Sequence, residues 1–264
     1  MEKTADAVVI GGGIMGASVA HFLAKKRFGK VVLLEKQHLA SASTGSSAGN
    51  IRTSYSNPLT IKLALRALEM FENDRDELGG DSGFRQTGMM VLMEESNLDA
   101  GMHVLSQETK IDTGSRRVST EEIKELAPQF DLVDIIAGTY QERGGYADPL
   151  KTTRSLAMSA QQWGLVVCEG DAATGLKTIN GRVKGVEIDG GYIETPVVVN
   201  AAGPWGREVG FWVGRNYSLR WSREGDMVIR LPSNFGHFPV VSDPGCRTYF
   251  RPHGEDRLLA GRDY

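Results

Sequence analysis

Three glycines near the N-terminus have the spacing of a turn that binds the diphosphate of a dinucleotide. Gly11, Gly13 and Gly16 follow a continuously apolar run at residues 7–10. In such a turn the first glycine permits a tight bend, the second lets the backbone approach a pyrophosphate, and the third lets helix and strand pack closely. The helix that begins here would offer N–H groups and the positive end of its dipole to the phosphates. The spacing therefore predicts phosphate binding.

A carboxylate stands where the ribose of a bound dinucleotide requires one. Glu35 closes a second apolar run, residues 30–35, at close to the usual distance in sequence from Gly11. A carboxylate at this point accepts hydrogen bonds from ribose hydroxyls, and its charge repels the additional phosphate of NADP. This unit alone leaves both FAD and NAD open. The alternative is a glycine-rich turn that only packs, with Glu35 as a solvated charge at a strand end.

The elements that position these residues form a strand–helix–strand unit. Apolar runs at 7–10 and 30–35 predict buried parallel strands, and residues 14–26 between them predict a helix. The crossover between the strands should be right-handed. Two later apolar runs, 165–169 and 196–200, predict further buried strands. The predicted fold class is α/β with a Rossmann-type domain.

Cap and turn residues predict where other elements begin and end. Asn57-Pro58 opens a helix that should run to about Leu78, and Asp148-Pro149 opens another. Two strong turn sequences, Asn180-Gly181 and Asp189-Gly190-Gly191, predict a three-stranded antiparallel meander.

Composition and charge exclude several classes of function. The chain has 264 residues, 41% of them hydrophobic and 24% charged, which is ordinary for a soluble protein. Its net charge of −3 gives no electrostatic case for nucleic acid or anionic membrane as a partner. Cys168 and Cys246 are the only cysteines, so we expect no disulfide framework, no cysteine-based metal site and a reducing compartment. Without a charged leader or an apolar run of about 18 residues, we expect a cytoplasmic protein with no membrane span.

Five segments, taken in order and spacing, resemble one family from end to end. They are GGGIMG at 11–16, LLEK at 33–36, SASTGSSAGNIR at 41–52, GGYADP at 144–149 and VVNAAGPW at 198–205. They resemble the superfamily of FAD-dependent D-amino-acid oxidases, glycine oxidases and sarcosine oxidases or dehydrogenases, and most of all its sarcosine/dimethylglycine branch. The resemblance implies a Rossmann-type FAD-binding domain, residues 1–86 and 144–209, with a discontinuous, mainly antiparallel β substrate domain, residues 87–143 and 210–264.

The resemblance implies FAD as the cofactor, held noncovalently. Some members attach FAD through a histidine in the loop that corresponds to residues 41–49, and this chain has no histidine between His38 and His103. The small side chains of that loop would leave backbone N–H groups free to bind an anion. The residues predicted to contact the cofactor are Gly11, Gly13, Ile14, Met15, Gly16, Glu35, Lys36, Ser43, Thr44, Ser46, Ala48, Gly49, Asn50, Val167, Ala201, Ala202, Gly203 and Trp205.

The same resemblance implies oxidation of a small secondary or tertiary amino acid, such as sarcosine or dimethylglycine. Hydride would pass to the flavin, and oxygen or an electron carrier would reoxidise it. Arg52 is implied at the flavin edge, where a cation stabilises negative charge on the reduced ring. Tyr249 or Arg251 would bind the substrate carboxylate, the arginine through its bidentate fork. Further candidates are Arg220, Arg223 and His253.

Other hypotheses stay open for the same fold. A D-amino-acid oxidase, a glycine oxidase and a glycerol-3-phosphate dehydrogenase are alternative enzymes. A noncatalytic or degenerate nucleotide-binding subunit is an alternative of another class. Members of the superfamily usually continue well beyond the point that corresponds to Gly261, so we expect a truncated chain or one that a second subunit completes.

Overall fold

The computed structural model of the chain describes residues 4–262. The α-helices are α1 (Ile14–Lys25), α2 (Pro58–Glu72), α3 (Asp74–Glu77), α4 (Leu98–Ile111), α5 (Thr120–Leu126), α6 (Pro149–Ala160) and α7 (Gly206–Phe211). The first strands are β1 (Ala7–Ile10), β2 (Val31–Glu35), β3 (Asn50–Ile51), β4 (Arg85–Gln86), β5 (Met89–Met93), β6 (Arg116–Val118), β7 (Ala137–Gln141), β8 (Gly145–Tyr146) and β9 (Val166–Glu169). The later strands are β10 (Ala173–Ile179), β11 (Arg182–Ile188), β12 (Gly191–Glu194), β13 (Val198–Asn200), β14 (Met227–Arg230), β15 (Val240–Asp243), β16 (Thr248–Pro252) and β17 (Arg257–Arg262).

The chain divides into two compact units. Among the described residues, the first contains 4–47, 74–83 and 148–222, and the second contains 48–73, 84–147 and 223–262. Three segments of the predicted FAD-binding domain, 48–73, 84–86 and 144–147, lie in the second unit, and residues 210–222 of the predicted substrate domain lie in the first. These units are defined by compactness and the predicted domains by cofactor binding, so the domain boundaries stay a prediction.

A four-stranded parallel sheet forms the centre of the first unit, in the order β13-β1-β2-β9. Val9 of β1 pairs with Val199 on one side and with Leu33 on the other, and Leu33 pairs with Val167. All residues of β1 and β2 are buried, which explains why their sequences, apart from Glu35 at the end of β2, are continuously apolar rather than alternating. The mixed α/β class, with its Rossmann-like sheet, is confirmed.

Small residues let α1 approach its neighbours closely. Gly16, Ala17, Ala20 and Ala24 lie with His21 on the buried face of this helix, which packs against α6. Side chains this small bring two helix backbones near each other and keep α1 in a fixed position over the sheet. The start of α1 therefore has a defined place relative to β1.

The predicted three-stranded meander is a second sheet of the first unit. Strands β10, β11 and β12 pair antiparallel in sequence order. Asn180 and Gly181 both have positive φ, 51° and 72°, as a two-residue hairpin turn of type I′ requires. Gly190, with φ of 74°, lies in the second turn. Val186 and Ile193 of this meander are fully buried and pack in one core with Val8 and Val32.

The second unit is built on a seven-stranded sheet in the order β14-β17-β16-β15-β5-β7-β6. Its pairs are antiparallel except for β15 with β5. Phe130, Phe238 and Phe250 contact one another in its core, the first two edge to face with ring centres 6.2 Å apart. A smaller sheet, β3-β8-β4, lies in the same unit.

The helix predicted from Asn57 to about Leu78 is interrupted. The N-cap is as expected, since the Asn57 side chain accepts from the N–H of Leu59 at 2.9 Å. However, α2 ends at Glu72, and the side chain of Asn73 donates to the Glu69 carbonyl at 2.9 Å. An asparagine side chain that bonds to the backbone competes with helix propagation. The prediction of one continuous helix was therefore wrong.

None of the helices within residues 4–262 is both long enough and apolar enough to cross a bilayer.

The start of α6 provides a test of local stability. Asp148 caps this helix, since its Oδ1 accepts from the N–H groups of Leu150 and Lys151 at 2.9 and 3.0 Å. Asp148→Ala is expected to lower the free energy of unfolding by about 1 kcal/mol, because both amides lose their acceptor. Asp148→Asn keeps an oxygen acceptor and should be close to wild type in urea-induced unfolding. Equal losses in the two variants would contradict this explanation.

Candidate dinucleotide-binding site

A cavity of about 310 Å³ lies in the first unit, at the carboxyl ends of β1, β2 and β13. In open parallel sheets ligands bind at this end of the strands. Twelve of the residues predicted to contact the cofactor line it, namely Gly11, Gly13, Ile14, Met15, Glu35, Lys36, Ser43, Thr44, Ala201, Ala202, Gly203 and Trp205.

The glycines of the turn are required by its geometry. Gly11 has φ of +111°, and a Cβ on it would collide with the carbonyl oxygen of Ala201. A Cβ on Gly16 would collide with the carbonyl oxygen of Gly11. Both contacts are with backbone, which cannot move aside as a side chain does. The backbone of the turn therefore packs directly against the small-residue turn after β13.

The N-terminus of α1 borders the cavity without a charged cap. Gly13 precedes the helix and has no side chain, and the hydroxyl of Thr44 accepts from the N–H of Ile14 at 3.1 Å. The first turn contains no acidic residue, so no side chain of the helix itself neutralises the positive end of its dipole. Backbone amides, a hydroxyl and this dipole are together suited to an anionic diphosphate.

Glu35 is buried, and its carboxylate is held by two backbone amides. Its Oε2 accepts from the N–H of Gly12 at 2.7 Å, and its Oε1 accepts from the N–H of Gln37 at 2.9 Å. Each carboxylate oxygen has a second lone pair, so ribose hydroxyls can still donate to it. The sequence argument missed the role of Gly12, where an added Cβ would lie 2.7 Å from the Cβ of Glu35.

The cavity also has an aromatic wall. The ammonium group of Lys36 lies 3.6 Å from the centre of the Trp205 ring, within the range of a cation–π contact. Trp212, Glu208 and Val209, on or next to α7, line the cavity although the sequence argument did not name them. The sequence signal that could have indicated them is their position shortly after the small-residue turn at residues 201–203. The other lining residues outside the predicted cofactor set are Ile10, Leu34, Ser41, Ala42, Ala172, Ala173 and Pro204.

The loop at residues 37–44 is held by hydrogen bonds to a side chain of β9 and to the glycine turn after β1. The N–H of Leu39 donates to Glu169 Oε1 at 2.5 Å, and the N–H of Ala40 donates to the Gly12 carbonyl at 2.9 Å. Ala40 has φ of +60°, an uncommon conformation for a residue with a side chain. These contacts place the small residues of this loop along the cavity wall.

The other predicted cofactor residues lie outside the lining of this cavity. Gly16 is buried against the turn, Ser46 is exposed, and Val167 lies inside β9. Ala48, Gly49 and Asn50 belong to the second unit, where Asn50 pairs with Tyr146 between β3 and β8. Their contact with the cofactor stays a prediction.

The three predicted catalytic residues lie in the second unit. Arg52 donates to the backbone carbonyl of Ser54, and its guanidinium lies 4.3 Å from the ring centre of Tyr55. Tyr249 donates to Asp226 at 2.6 Å. Arg251 is buried and is described with its own contacts below. Of the further candidates, Arg220 is an exposed residue of the first unit, and Arg223 and His253 belong to the second.

Arg251 is held by backbone and by an aromatic ring. Its Nε donates to the Ala48 carbonyl at 2.6 Å, and its Nη1 donates to the Pro252 carbonyl at 2.8 Å. Its guanidinium lies 4.4 Å from the ring centre of Tyr146. The structure thus brings Arg251 to the end of the loop that the resemblance assigns to the cofactor. Binding of a substrate carboxylate by Arg251 or Tyr249 stays a prediction.

These features fit the ADP half of FAD. The glycine turn leaves a cradle that a Cβ on Gly11 or Gly16 would disrupt. Glu35 provides a hydrogen-bond acceptor in a fixed position, and the start of α1 provides backbone amides. The fold and the site define a Rossmann-type dinucleotide-binding protein.

Comparison with known proteins identifies the family. The family model described as DAO, FAD dependent oxidoreductase, matches residues 6–264. The chain is 29% identical to "Sarcosine dehydrogenase, mitochondrial" of Mus musculus, over 99% of this chain and 29% of that protein. It is 33% identical to "Dimethylglycine dehydrogenase, mitochondrial" of Rattus norvegicus, over 83% of this chain and 26% of that protein. The crystal structure of L-proline dehydrogenase from P. horikoshii superposes with a TM-score of 0.92 at 25% identity, covering all of this chain and 71% of that one.

The chain belongs to the DAO family of FAD-dependent oxidoreductases, and FAD is the cofactor of that family. The resemblance seen in the five sequence segments is thus confirmed. The chain spans little more than a quarter of the length of the two curated relatives.

Proposed function

We propose that this chain binds FAD noncovalently and takes part in the oxidation of a small secondary or tertiary amino acid of the sarcosine or dimethylglycine type. The matched family supports the cofactor and the general reaction. The names of the two curated relatives support the substrate class. The observation that carries the proposal is the cavity in which Glu35, the glycine turn and the start of α1 converge.

The residues of the first unit would hold the ADP half of the cofactor. Gly13, Ile14 and Thr44 would contact the diphosphate, and Glu35 would accept from the ribose. Bound FAD would supply a two-electron acceptor for the hydride on the carbon next to the substrate nitrogen. The protein's own contribution is positioning and electrostatics.

For the second unit we propose roles that follow the resemblance. The contacts of Arg52 with Ser54 and Tyr55 keep its guanidinium in one orientation, which suits a charge that must be preorganised. Arg251 or Tyr249 would bind the substrate carboxylate. The amine nitrogen has to be neutral at the moment of hydride loss, because its lone pair stabilises the imine that forms and then hydrolyses.

We expect the purified chain to show oxidised flavin absorbance, and sarcosine or dimethylglycine to bleach it under anaerobic conditions. D-Alanine, glycine, L-proline and glycerol 3-phosphate, added in parallel, distinguish the other enzymes of this fold. Bleaching by one of these but not by the methylated glycines would contradict the proposed substrate class.

Chemical reduction with dithionite is the control, since it shows that the bound flavin is reducible. Flavin that dithionite bleaches and no amine bleaches would favour the noncatalytic nucleotide-binding subunit. Reoxidation of the bleached sample by oxygen, compared with reoxidation by an artificial electron acceptor, separates an oxidase from a dehydrogenase.

A further inference from the structure

A buried acid lies in the second unit, apart from the cavity described above. Glu108, on α4, is 1% exposed, and its Oε1 accepts from the hydroxyls of Thr53 at 2.7 Å and Ser115 at 2.9 Å. Thr53 is fully buried and accepts in turn from Gln141 Nε2 at 2.6 Å. This amide group also donates to the Thr113 carbonyl at 3.1 Å. The cluster joins α4, β7 and the segment that follows β3.

One polar atom of this cluster needs a further partner. Gln141 is 4% exposed, and its Oε1 is buried and accepts no hydrogen bond from the described residues. A buried amide oxygen without a donor is costly, so such atoms are usually paired with protein or with ordered water. A cavity of about 10 Å³, close to the space of one water molecule, borders both Gln141 and Glu108. Its other polar lining residues are Ser54, Ser115 and Thr139.

The surroundings of Glu108 favour its neutral form. Burial raises the pKa of this carboxyl above its ordinary value, whereas the hydroxyls of Thr53 and Ser115 and the charge of Arg52 lower it in part. Among the described residues, Arg52 is the charged group whose electrostatic interaction affects the pKa of Glu108. A neutral carboxyl has one O–H donor, and both hydroxyls are bonded to the other oxygen, Oε1.

We propose that this cavity binds one water molecule, that the carboxyl O–H of Glu108 donates to it, and that the water donates to Gln141 Oε1. Every polar atom of the cluster then has a partner. The second hydrogen of the water finds an acceptor among the hydroxyls that line the cavity, since Ser54 and Thr139 are both there. A fully satisfied buried network of this kind is rigid, whereas a partly satisfied one destabilises the fold.

The consequence is that Glu108 is a positioning residue for the segment 52–54. Thr53 lies between Arg52 and Ser54 and is held by the acid on one side and by Gln141 on the other. Arg52 bonds to Ser54, so its orientation depends on that segment. This inference does not depend on which amine, if any, the protein oxidises.

The first test concerns the water and the proton. A crystal structure of the full chain should show an ordered water within hydrogen-bond distance of Glu108 and Gln141. The infrared carbonyl band of a protonated carboxyl, assigned by its loss in Glu108→Gln, should persist to a higher pH than the bands of the exposed carboxyls. Glu125→Gln, at an exposed position of α5, is the matched control and should leave the band unchanged. A dry cavity or an unchanged band in Glu108→Gln overturns the proposal.

The second test uses the pH dependence of stability. The pKa of Glu108 is raised in the folded state, so its contribution to stability is complete below the ordinary value of 4.5 and is lost as pH rises through the folded pKa. The urea midpoint of the wild type should therefore fall with rising pH relative to that of Glu108→Gln. Parallel curves for the two proteins overturn the proposal.

The third test concerns positioning. Thr53→Val keeps the shape of the side chain and removes its hydroxyl, so the amides of residues 53 and 54 should exchange hydrogen about tenfold faster. Thr60→Val, at an exposed position of α2, is the control and should leave these rates unchanged. Unchanged exchange in Thr53→Val would show that Glu108 does not hold the segment.

Discussion

Gly11→Ala is expected to weaken FAD binding about a hundredfold, equal to about 2.7 kcal/mol, and to lower the free energy of unfolding by about 3 kcal/mol. At φ of +111° an alanine is strained, and its Cβ would collide with the carbonyl oxygen of Ala201. Because the collision is with backbone, the turn itself has to shift. The amides of Gly12 and Ile14, which face Glu35 and Thr44, would shift with it.

The matched control is Gly190→Ala. Gly190 has φ of +74°, and a Cβ on it would meet nothing within 4 Å. This variant has backbone strain without a collision, so it should lower the free energy of unfolding by about 1 kcal/mol and leave FAD affinity unchanged. Quenching of flavin fluorescence measures the affinity, and urea-induced unfolding without added FAD measures the stability. An equal loss of affinity in both variants would show that strain alone, and not the contact with Ala201, is responsible.

Local sequence signals were enough to predict several elements of the first unit. The parallel strands, the helix that starts at Ile14 and the turn at Asn180-Gly181 each depend on residues that are neighbours in sequence. Apolar runs, glycine spacing and turn residues report on such local geometry directly. For the same reason the cavity-lining residues of the GGGIMG segment could be named in advance, whereas Ala201, Ala202, Gly203 and Trp205 were named from the resemblance to the family.

Contacts between distant segments were not predictable in this way. The bond from Gly12 to Glu35 spans 23 residues, the bond from Thr53 to Glu108 spans 55, and the bond from Gln141 to Thr53 spans 88. For the two longer-range bonds nothing in the periodicity of either partner encodes such a meeting, because it depends on how whole elements pack, whereas the strand–helix–strand unit placed Glu35 near the glycine turn without predicting its bond to Gly12. The break of the predicted helix at Asn73 has a local cause, since the side chain of Asn73 bonds to the backbone of the preceding turn although good helix formers such as Leu68, Glu69 and Met70 come before it.

Glu35→Ala is expected to weaken FAD binding by a factor between about ten and a hundred. Hydrogen bonds to a charged group contribute about 1.5–3 kcal/mol, and each 1.4 kcal/mol corresponds to a factor of ten. The variant removes the proposed acceptor for the ribose and also the acceptor for the amides of Gly12 and Gln37. The same titration of flavin fluorescence measures the loss.

Glu35→Gln separates the two contributions. The glutamine keeps the length of the side chain, but its NH₂ group replaces one oxygen and would face the backbone N–H of Gly12 or of Gln37 in either orientation, and it leaves one acceptor oxygen fewer for the ribose. Affinity should therefore fall almost as far as in Glu35→Ala, while Glu187→Gln, at an exposed position of β11 in the same unit, should bind FAD normally. If Glu35→Gln bound FAD as tightly as the wild type, the carboxylate would only hold the backbone of Gly12, and the ribose would be recognised by another group. The cavity would then still fit a diphosphate. Glu35 would no longer be an argument for FAD or NAD over NADP, whose ribose carries an additional phosphate.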